Sequence, residues 1–392
     1  NILLNCYCNL RRSALAFSVL GGILKRGHEP NLITFTTLIK GLLSERKAVD
    51  AVSLFEKVIG MGFSPNIHTW SILMNGLCRN GNAGAALRMH QKKISSRTRP
   101  SWFIPNQIYY SGLIHGLCKS GLVAKAKEIF MEMEARGIHA DAFAYGSLIH
   151  GLCDVNEWGE AKELFNRMID GGVRPNVVTF NALICYLCRT GATDEAGEVV
   201  KVMITRGEQP DTVIFNTLMD GYLVEGRLED ARGLFDSMAA AGGGKPRPDV
   251  RTYNVLMNGY FKCGKPEGAL DLLREMEDYN PRPSTATFNI LLKGLFQCRK
   301  VEAARDIYSR MGAVPDSITY ATLIDGLCKN GRLEEAMEVF RSLEGSGYEA
   351  DMVMCNSVLD GLWKAGKVEA AEEMFLDRLR DSADAFTYSI MM

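Results

Sequence analysis

At 392 residues the chain exceeds the size at which one hydrophobic core usually stops growing, so length alone points to two or three domains. Its 47% apolar and 23% charged residues exclude a disordered chain, and no run of 18 apolar residues is present to span a membrane, so a soluble protein is expected. A net charge of −1 excludes a basic field over the whole molecule, so any polyanionic partner must be met by a local stripe.

The chain opens at Asn1 in mid-repeat and stops at Met392 just inside another helix, as a fragment or mature form of something longer would. In between it repeats itself: Val177 to Asp211 lies over Ser317 to Asp351 without a gap, a period of 35 residues. A fixed period of this size marks a solenoid of stacked two-helix units and overrides the length argument. A partial unit at 1–31 is followed by units at 32–66, 67–106, 107–141, 142–176, 177–211, 212–249, 250–284, 285–316, 317–351 and 352–384, then a fragment at 385–392. Six of these ten complete units keep 35 residues. The others gain residues at Lys92 to Pro105 and Gly242 to Pro248, or are short near the ends of 285–316 and 352–384, where loops tolerate changes in length.

Within a unit, Phe180, Leu183, Ile184 and Leu187 recur at i, i+3, i+4 and i+7, which predicts a first helix with one buried face. A turn follows at Gly191, matched by Gly81, Gly121, Gly226, Gly264, Gly331 and Gly366, where a left-handed helix end suits a residue without Cβ. The stripe Leu333, Ala336, Phe340 and Leu343 predicts the second helix, with the alanine letting the two helices approach. Units then close on Gly, Pro and an amide or acid, as in Gly171, Pro175, Asn176 and Gly207, Pro210, Asp211. Proline stops the second helix, and the last residue suits an N-cap for the next first helix, worth about 1 kcal/mol.

Cysteines at 8, 78, 118, 153, 188 and 328 share one place near the end of the first helix and are expected as small buried packing, in a reducing compartment. The Cys185-x-x-Cys188 pair lies inside a predicted helix without a second Cys or His pair, which argues against zinc.

The first helix has a second face, about 140° from the apolar one, carrying Val178, Asn181, Cys185 and Arg189. Its second position is apolar at Ile33, Ile108, Phe143, Val178, Val213, Ile318 and Val353, and departs from that at His68, Arg251 and Ala286. Its fifth is small and polar at Thr36, Ser71, Ser111, Asn181, Asn216, Asn254, Asn289 and Asn356. An amide or hydroxyl beside an apolar face offers an edge partner and a stacking surface to a base. At the helix end, Arg79, Lys119, Arg189, Lys262, Lys329 and Lys364 place a cation in six of the ten units. The helix dipole favours cations there; aligned along a solenoid they would also track phosphates. Acidic residues such as Glu128, Glu132, Glu134, Glu334, Glu335 and Glu338 are expected on a solvated outer face of the second helix.

The phrases VVTFNALI, SITYATLIDGLCKNGRLEEAMEVF and GVRPN closely resemble the pentatricopeptide repeat family over essentially the whole chain. The units resemble its P-type class, common in land-plant organelles, and the wording is similar to fertility-restorer-like members. The resemblance implies an all-α, right-handed superhelical solenoid of stacked helix-turn-helix repeats. It implies a single array, without catalysis or cofactor, that reads single-stranded RNA one base per repeat. The resemblance further implies a mitochondrial location, with the chloroplast as the alternative, and a role in RNA processing, stabilisation or translation.

By that resemblance the fifth and last residues of a unit share one base edge, and the second residues of adjacent units sandwich the base. Asn1 with Asn31 then suggests a pyrimidine, Thr36 with Asn66 and Ser71 with Asn106 adenine, and Ser111 with Asp141 guanine. Asn181 with Asp211, Asn216 with Asp249, Asn289 with Asp316 and Asn356 with Asp384 suggest uracil, and Asn254 with Ser284 cytosine. Gly146 with Asn176 and Ala321 with Asp351 specify no base, so the implied target is 5′-YAAGNUUCUNU-3′.

Two other classes compete. A protein-interaction scaffold predicts large aromatic anchors in the groove, which are scarce. An RNA-processing deaminase would need H-x-E with a downstream P-C-x-x-C, and both are absent; a nuclease would need clustered carboxylates, whereas the unit-end acids recur singly. His115 and His150 occupy equivalent places and could share a metal, but repeat geometry explains their match without one. A truncated array exposes apolar faces at both ends, leaving a homodimer or contacts with other processing proteins open.

Overall fold

The structure is a computed structural model that describes residues 1–94, 104–240, 246–278, 281–311, 315–345, 350–379, 383 and 385–391. Parts of the two predicted extensions, 95–103 and 241–245, lie outside the described residues, as does Asp384. Among the described residues every regular element is helical.

First helices (A) run over Leu32–Ser44, Ile67–Arg79, Gln107–Lys119, Ala142–Asp154, Val177–Arg189, Thr212–Val224, Val250–Lys262, Thr285–Gln297, Ser317–Lys329 and Met352–Lys364. Second helices (B) follow, from Ala48–Gly60 through Leu333–Gly345 to Val368–Met374, the last continuing as a π-helix over Phe375–Leu379. An opening hairpin of Ile2–Asn9 and Ser13–Lys25 and a closing helix Ala385–Met391 complete the set.

The chain forms two compact units, residues 1–186 with 199–208, and residues 187–198 with 209–392. Within each, a helix A packs on its own helix B and on the helix A of the next repeat. The B helices lay an aromatic edge-on against the fourth residue of the following A helix, as in Phe55 on Trp70, Phe130 on Tyr145, Phe165 on Phe180 and Phe235 on Tyr253, with centroids 4.8 to 5.6 Å apart.

Two local devices hold the hairpins in register. The turn glycines 81, 121, 191, 226, 264, 331 and 366 all have φ between 67° and 77°, and where glycine is absent Arg46, Asn156 and Arg299 adopt the same left-handed backbone. At the unit ends Asn31, Asn66, Asn106, Asp141, Asn176, Asp211, Asp249, Ser284, Asp316 and Asp351 each accept a hydrogen bond from the backbone N–H three residues on, at 2.8 to 3.3 Å.

A third device joins neighbouring repeats. The tenth residue of helix A is usually glycine, and a Cβ on it would collide with the twelfth-position side chain of the preceding repeat. Cys8 fills the hollow at Gly41, Leu43 that at Gly76, Cys118 that at Gly151, Phe261 that at Gly294, Phe296 that at Gly326 and Cys328 that at Gly361. Several of the periodic cysteines are therefore inter-repeat wedges, and burial pushes the Cys78 thiol up to about 11 and the Cys328 thiol up to about 12. In the 177–211 repeat Tyr186 stands in place of this glycine and stacks flat on Trp158, 5.0 Å between centroids.

On the acidic outer face of helix B, Glu128, Glu334 and Glu338 are exposed as expected, and Glu132, Glu134 and Glu335 are half-buried. Many carboxylates are exposed, but they ladder the repeats together: Glu134 with Arg167, Glu160 with Lys127, Glu277 with Arg310, Glu302 with Arg332 and Glu334 with Lys367. Each pair is worth little by itself, because both partners are largely solvated. Glu132 goes further and enters a buried cluster, accepting from the Tyr110 hydroxyl at 2.7 Å and Arg136 Nε at 2.9 Å, with His90 Nε2 at 3.1 Å. His90 is fully buried where other repeats place Phe55 or Phe130, and its Nδ1 lies 2.9 Å from the Tyr109 hydroxyl.

Candidate nucleic-acid interface

The second residue of every complete repeat is exposed. Ile33, Ile108, Phe143, Val178, Val213, Ile318 and Val353 are 46% to 70% accessible, and His68, Arg251 and Ala286 are exposed beside them. Single exposed apolar side chains are ordinary, but recurrence at one place in successive helices is not accounted for by folding.

The fifth residues lie deeper than periodicity suggests. Thr36, Ser71, Ser111, Gly146, Asn216 and Asn356 are buried, and Asn181, Asn254, Asn289 and Ala321 half-buried, because adjacent A helices meet at this level. Thr36 and Ser71 donate to the backbone carbonyls of Leu32 and Ile67, one turn back, at 2.7 and 2.8 Å. The third-position threonine of the next repeat reaches some of them: Thr34 donates to Asn1 Oδ1 at 2.8 Å, Thr319 to Asn289 Oδ1 at 2.8 Å and Thr387 to Asn356 Oδ1 at 3.0 Å. The Oδ1 atoms of Asn181, Asn216 and Asn254 are buried and accept no hydrogen bond among the described residues. Such an orphan acceptor costs stability unless something donates to it.

Fifth and last residues of one repeat are hydrogen-bonded to each other in two repeats among the described residues. Ser111 Oγ donates to Asp141 at 3.0 Å, and Asn289 Nδ2 to Asp316 at 3.2 Å. Burial alone would raise Asp316, but hydrogen bonds from Thr319 and from the Asn289 amide hold its carboxyl below the usual range. Two clefts collect the full set. One, of about 430 Å³, is lined by second residues Ile33 and His68 with Thr36 and Asn66 between them. The other, of about 420 Å³, has Phe143 and Val178 with Gly146 and Asn176, and adds His115, Lys119 and His150.

Capping leaves chemistry to spare at the last position. The oxygen that accepts from the backbone is common to Asn and Asp; the remaining atom is a donor in Asn, Nδ2, and an acceptor in Asp, Oδ2. Ser284 has a single oxygen, already engaged with the Thr287 N–H and hydroxyl.

All six end-of-helix cations are exposed. Lys329 and Lys364 are paired one turn back with Asp325 at 2.8 Å and Asp360 at 2.6 Å, whereas Lys119 and Lys262 have no carboxylate within ion-pair distance among the described residues. Cys185 is exposed and Cys188 buried, so the two cysteines serve different faces. The tenth-position glycines and third-position threonines were not singled out from the sequence, although both recur with the period.

Stacked helical hairpins with one exposed, variable face define an α-solenoid repeat protein. Profiles of the PPR repeat family match residues 1–44, 33–79, 105–154, 140–184, 175–213 and 248–297, and PPR repeat profiles match further stretches including 206–239, 311–344 and 353–377. The chain belongs to the pentatricopeptide repeat family. It is 50% identical over 54 residues to a mitochondrial pentatricopeptide repeat-containing protein of Arabidopsis thaliana, and 38% identical over 53 residues to Protein Rf1, mitochondrial, of Oryza sativa subsp. indica. Each match covers 14% of this chain, and only 9% and 7% of those relatives. The crystal structure of the pentatricopeptide repeat protein PPR10 from maize aligns over 100% of this chain and 64% of its own, with a TM-score of 0.52 and 21% identity. PPR10 in complex with an 18-nt psaJ RNA element aligns over 99% of this chain and 60% of its own with the same score.

Proposed function

We propose that this chain binds single-stranded RNA in a sequence-specific manner, one base per repeat, and acts by occupying its target rather than by catalysis. The observation that carries this reading is the pair of clefts in which second residues of adjacent repeats flank the fifth and last residues of one. Side chains on either side offer stacking surfaces, and polar atoms between them offer partners to a base edge. The amides of Asn181, Asn216 and Asn254 carry both a donor and an acceptor, the chemistry that the edge of uracil or cytosine requires. PPR10, with the same fold, is a precedent for the ligand class.

On this reading residues 1–392 form one array with the repeat boundaries given above, and the target is 5′-YAAGNUUCUNU-3′. The names of the two plant relatives favour the mitochondrion over the chloroplast, and RNA processing, stabilisation or translation is the process that the proposed binding would serve. Fluorescence anisotropy with the 11-mer against a scrambled sequence of the same composition tests the proposal. The matched strand is expected to bind at least about tenfold more tightly, a gap of roughly 1.4 kcal/mol; indistinguishable affinities refute base-by-base reading.

A further inference from the structure

The ninth residue of helix A sits one turn before the cation row, and in two successive repeats it is histidine. His115 and His150 both line the 420 Å³ cleft together with Lys119 and Phe143. This repeat has Gly146 at its fifth position, where a Cβ would stand 2.8 Å from the Thr179 hydroxyl, so Asn176 is left as the edge partner for a base. What the cleft lacks in base-reading groups it makes up in groups suited to an anion.

His115 Nδ1 lies 3.1 Å from Ser147 Oγ and its ring 5.0 Å from that of Phe143, while Nε2 has no protein partner among the described residues. His150 Nδ1 is paired with Asp154 at 3.0 Å, so that carboxylate is already engaged. The charged and titratable groups around His115 come from three helices: Arg79 from the preceding helix A, Cys118 and Lys119 from its own, and His150 with Asp154 from the next. Partial burial, then Lys119, Arg79 and His150, hold its imidazole below the ordinary range. Burial pushes the Cys118 thiol up to about 12, which keeps it protonated. Burial is the larger cause of the neutral imidazole, and an anion seated here would offset the repulsion that Lys119, Arg79 and His150 add to it.

We propose that this cleft is a phosphate subsite at which binding of a phosphodiester of the strand is coupled to uptake of one proton by His115. The proton comes from solvent; the imidazolium then donates one N–H to Ser147 and the other to a phosphate oxygen, beside the permanent charge of Lys119. The inference rests on the RNA-binding reading above.

The test is affinity for the 11-mer at pH 7.5 and pH 6.0 at constant ionic strength. The native chain is expected to bind about three- to tenfold more tightly at the lower pH. His115→Gln should reduce that ratio below about twofold, and His90→Phe, which alters a buried histidine away from the cleft, should keep it. A ratio unchanged in His115→Gln overturns the subsite. Should RNA fail to bind at any pH, the functional reading falls separately, and imidazole NMR of the native chain in inorganic phosphate against chloride decides the subsite: phosphate raises the His115 pKa if the cleft is an anion site, and equal values overturn it.

Discussion

Asn181, Asn216 and Asn254 hold their side-chain oxygens buried and without a donor in three consecutive repeats. On the proposed reading the amides of these three residues choose the base, through the part of each side chain that a strand can reach. Asn181→Thr is expected to move preference at one base from uracil toward guanine, changing discrimination by about 1–3 kcal/mol, as measured with 11-mers differing at that position. A preference that stayed with uracil would detach the fifth residue from base choice. The identity and spacing of these residues were legible in the sequence because the period repeats them. Their depth was not: a helical period gives the direction of a side chain, but not the height of the neighbouring helix, which comes from 30 or more residues away and buries Thr36, Ser71 and Ser111.

Among the elements, the hairpins, their left-handed turns and their N-caps could all be read in advance, because each depends on residues within a few positions. The contacts between repeats could not. Phe296 and Gly326 belong to different repeats, and nothing local marks the ring as the filler of the hollow. Gly326→Ala is expected to destabilise the fold by about 1–3 kcal/mol through overpacking against that ring. Gly233→Ala, at an exposed helix-B position with open space around it, should stabilise by up to about 1 kcal/mol. Denaturant titrations giving the same sign for both would remove the hollow as a structural device. The His90 cluster was equally hidden, since its partners lie 19 and 42 residues ahead. Burial depresses the His90 pKa against the opposing pull of Glu132, so the folded state holds the ring neutral where the unfolded chain takes up a proton. Stability is therefore lost as pH falls from about 6.5 toward the folded value. Thermal melts between pH 7.5 and 5.5 should show a smaller fall for His90→Phe than for the native chain; an identical fall would exclude His90 as its source.

At the scale of the whole molecule, neutrality conceals an uneven distribution of charge. In the first compact unit the ninth positions of helix A carry Lys40, Asn75, His115, His150 and Cys185; in the second, Asp220, Asp325 and Asp360 appear among them. Lys329 and Lys364 are thereby already neutralised by their own helices, whereas Lys119 is not. Lys119→Ala is expected to weaken binding to all RNA sequences alike and to reduce the slope of log affinity against log salt by up to about 1, with Lys329→Ala changing it less. Equal slopes in the two variants would show that the aspartates do not screen their lysines. The hollow at the tenth position has a bearing on any attempt to rewrite the RNA target by transplanting repeats. Each repeat is moulded to the one before it, with cysteine, leucine or phenylalanine as the casting, so a donor repeat set behind Gly326 must arrive with a side chain the size of Phe296. Rearranged arrays that keep each wedge with its matching recess should assemble, and those that exchange only the base-reading pair between intact repeats avoid the difficulty altogether.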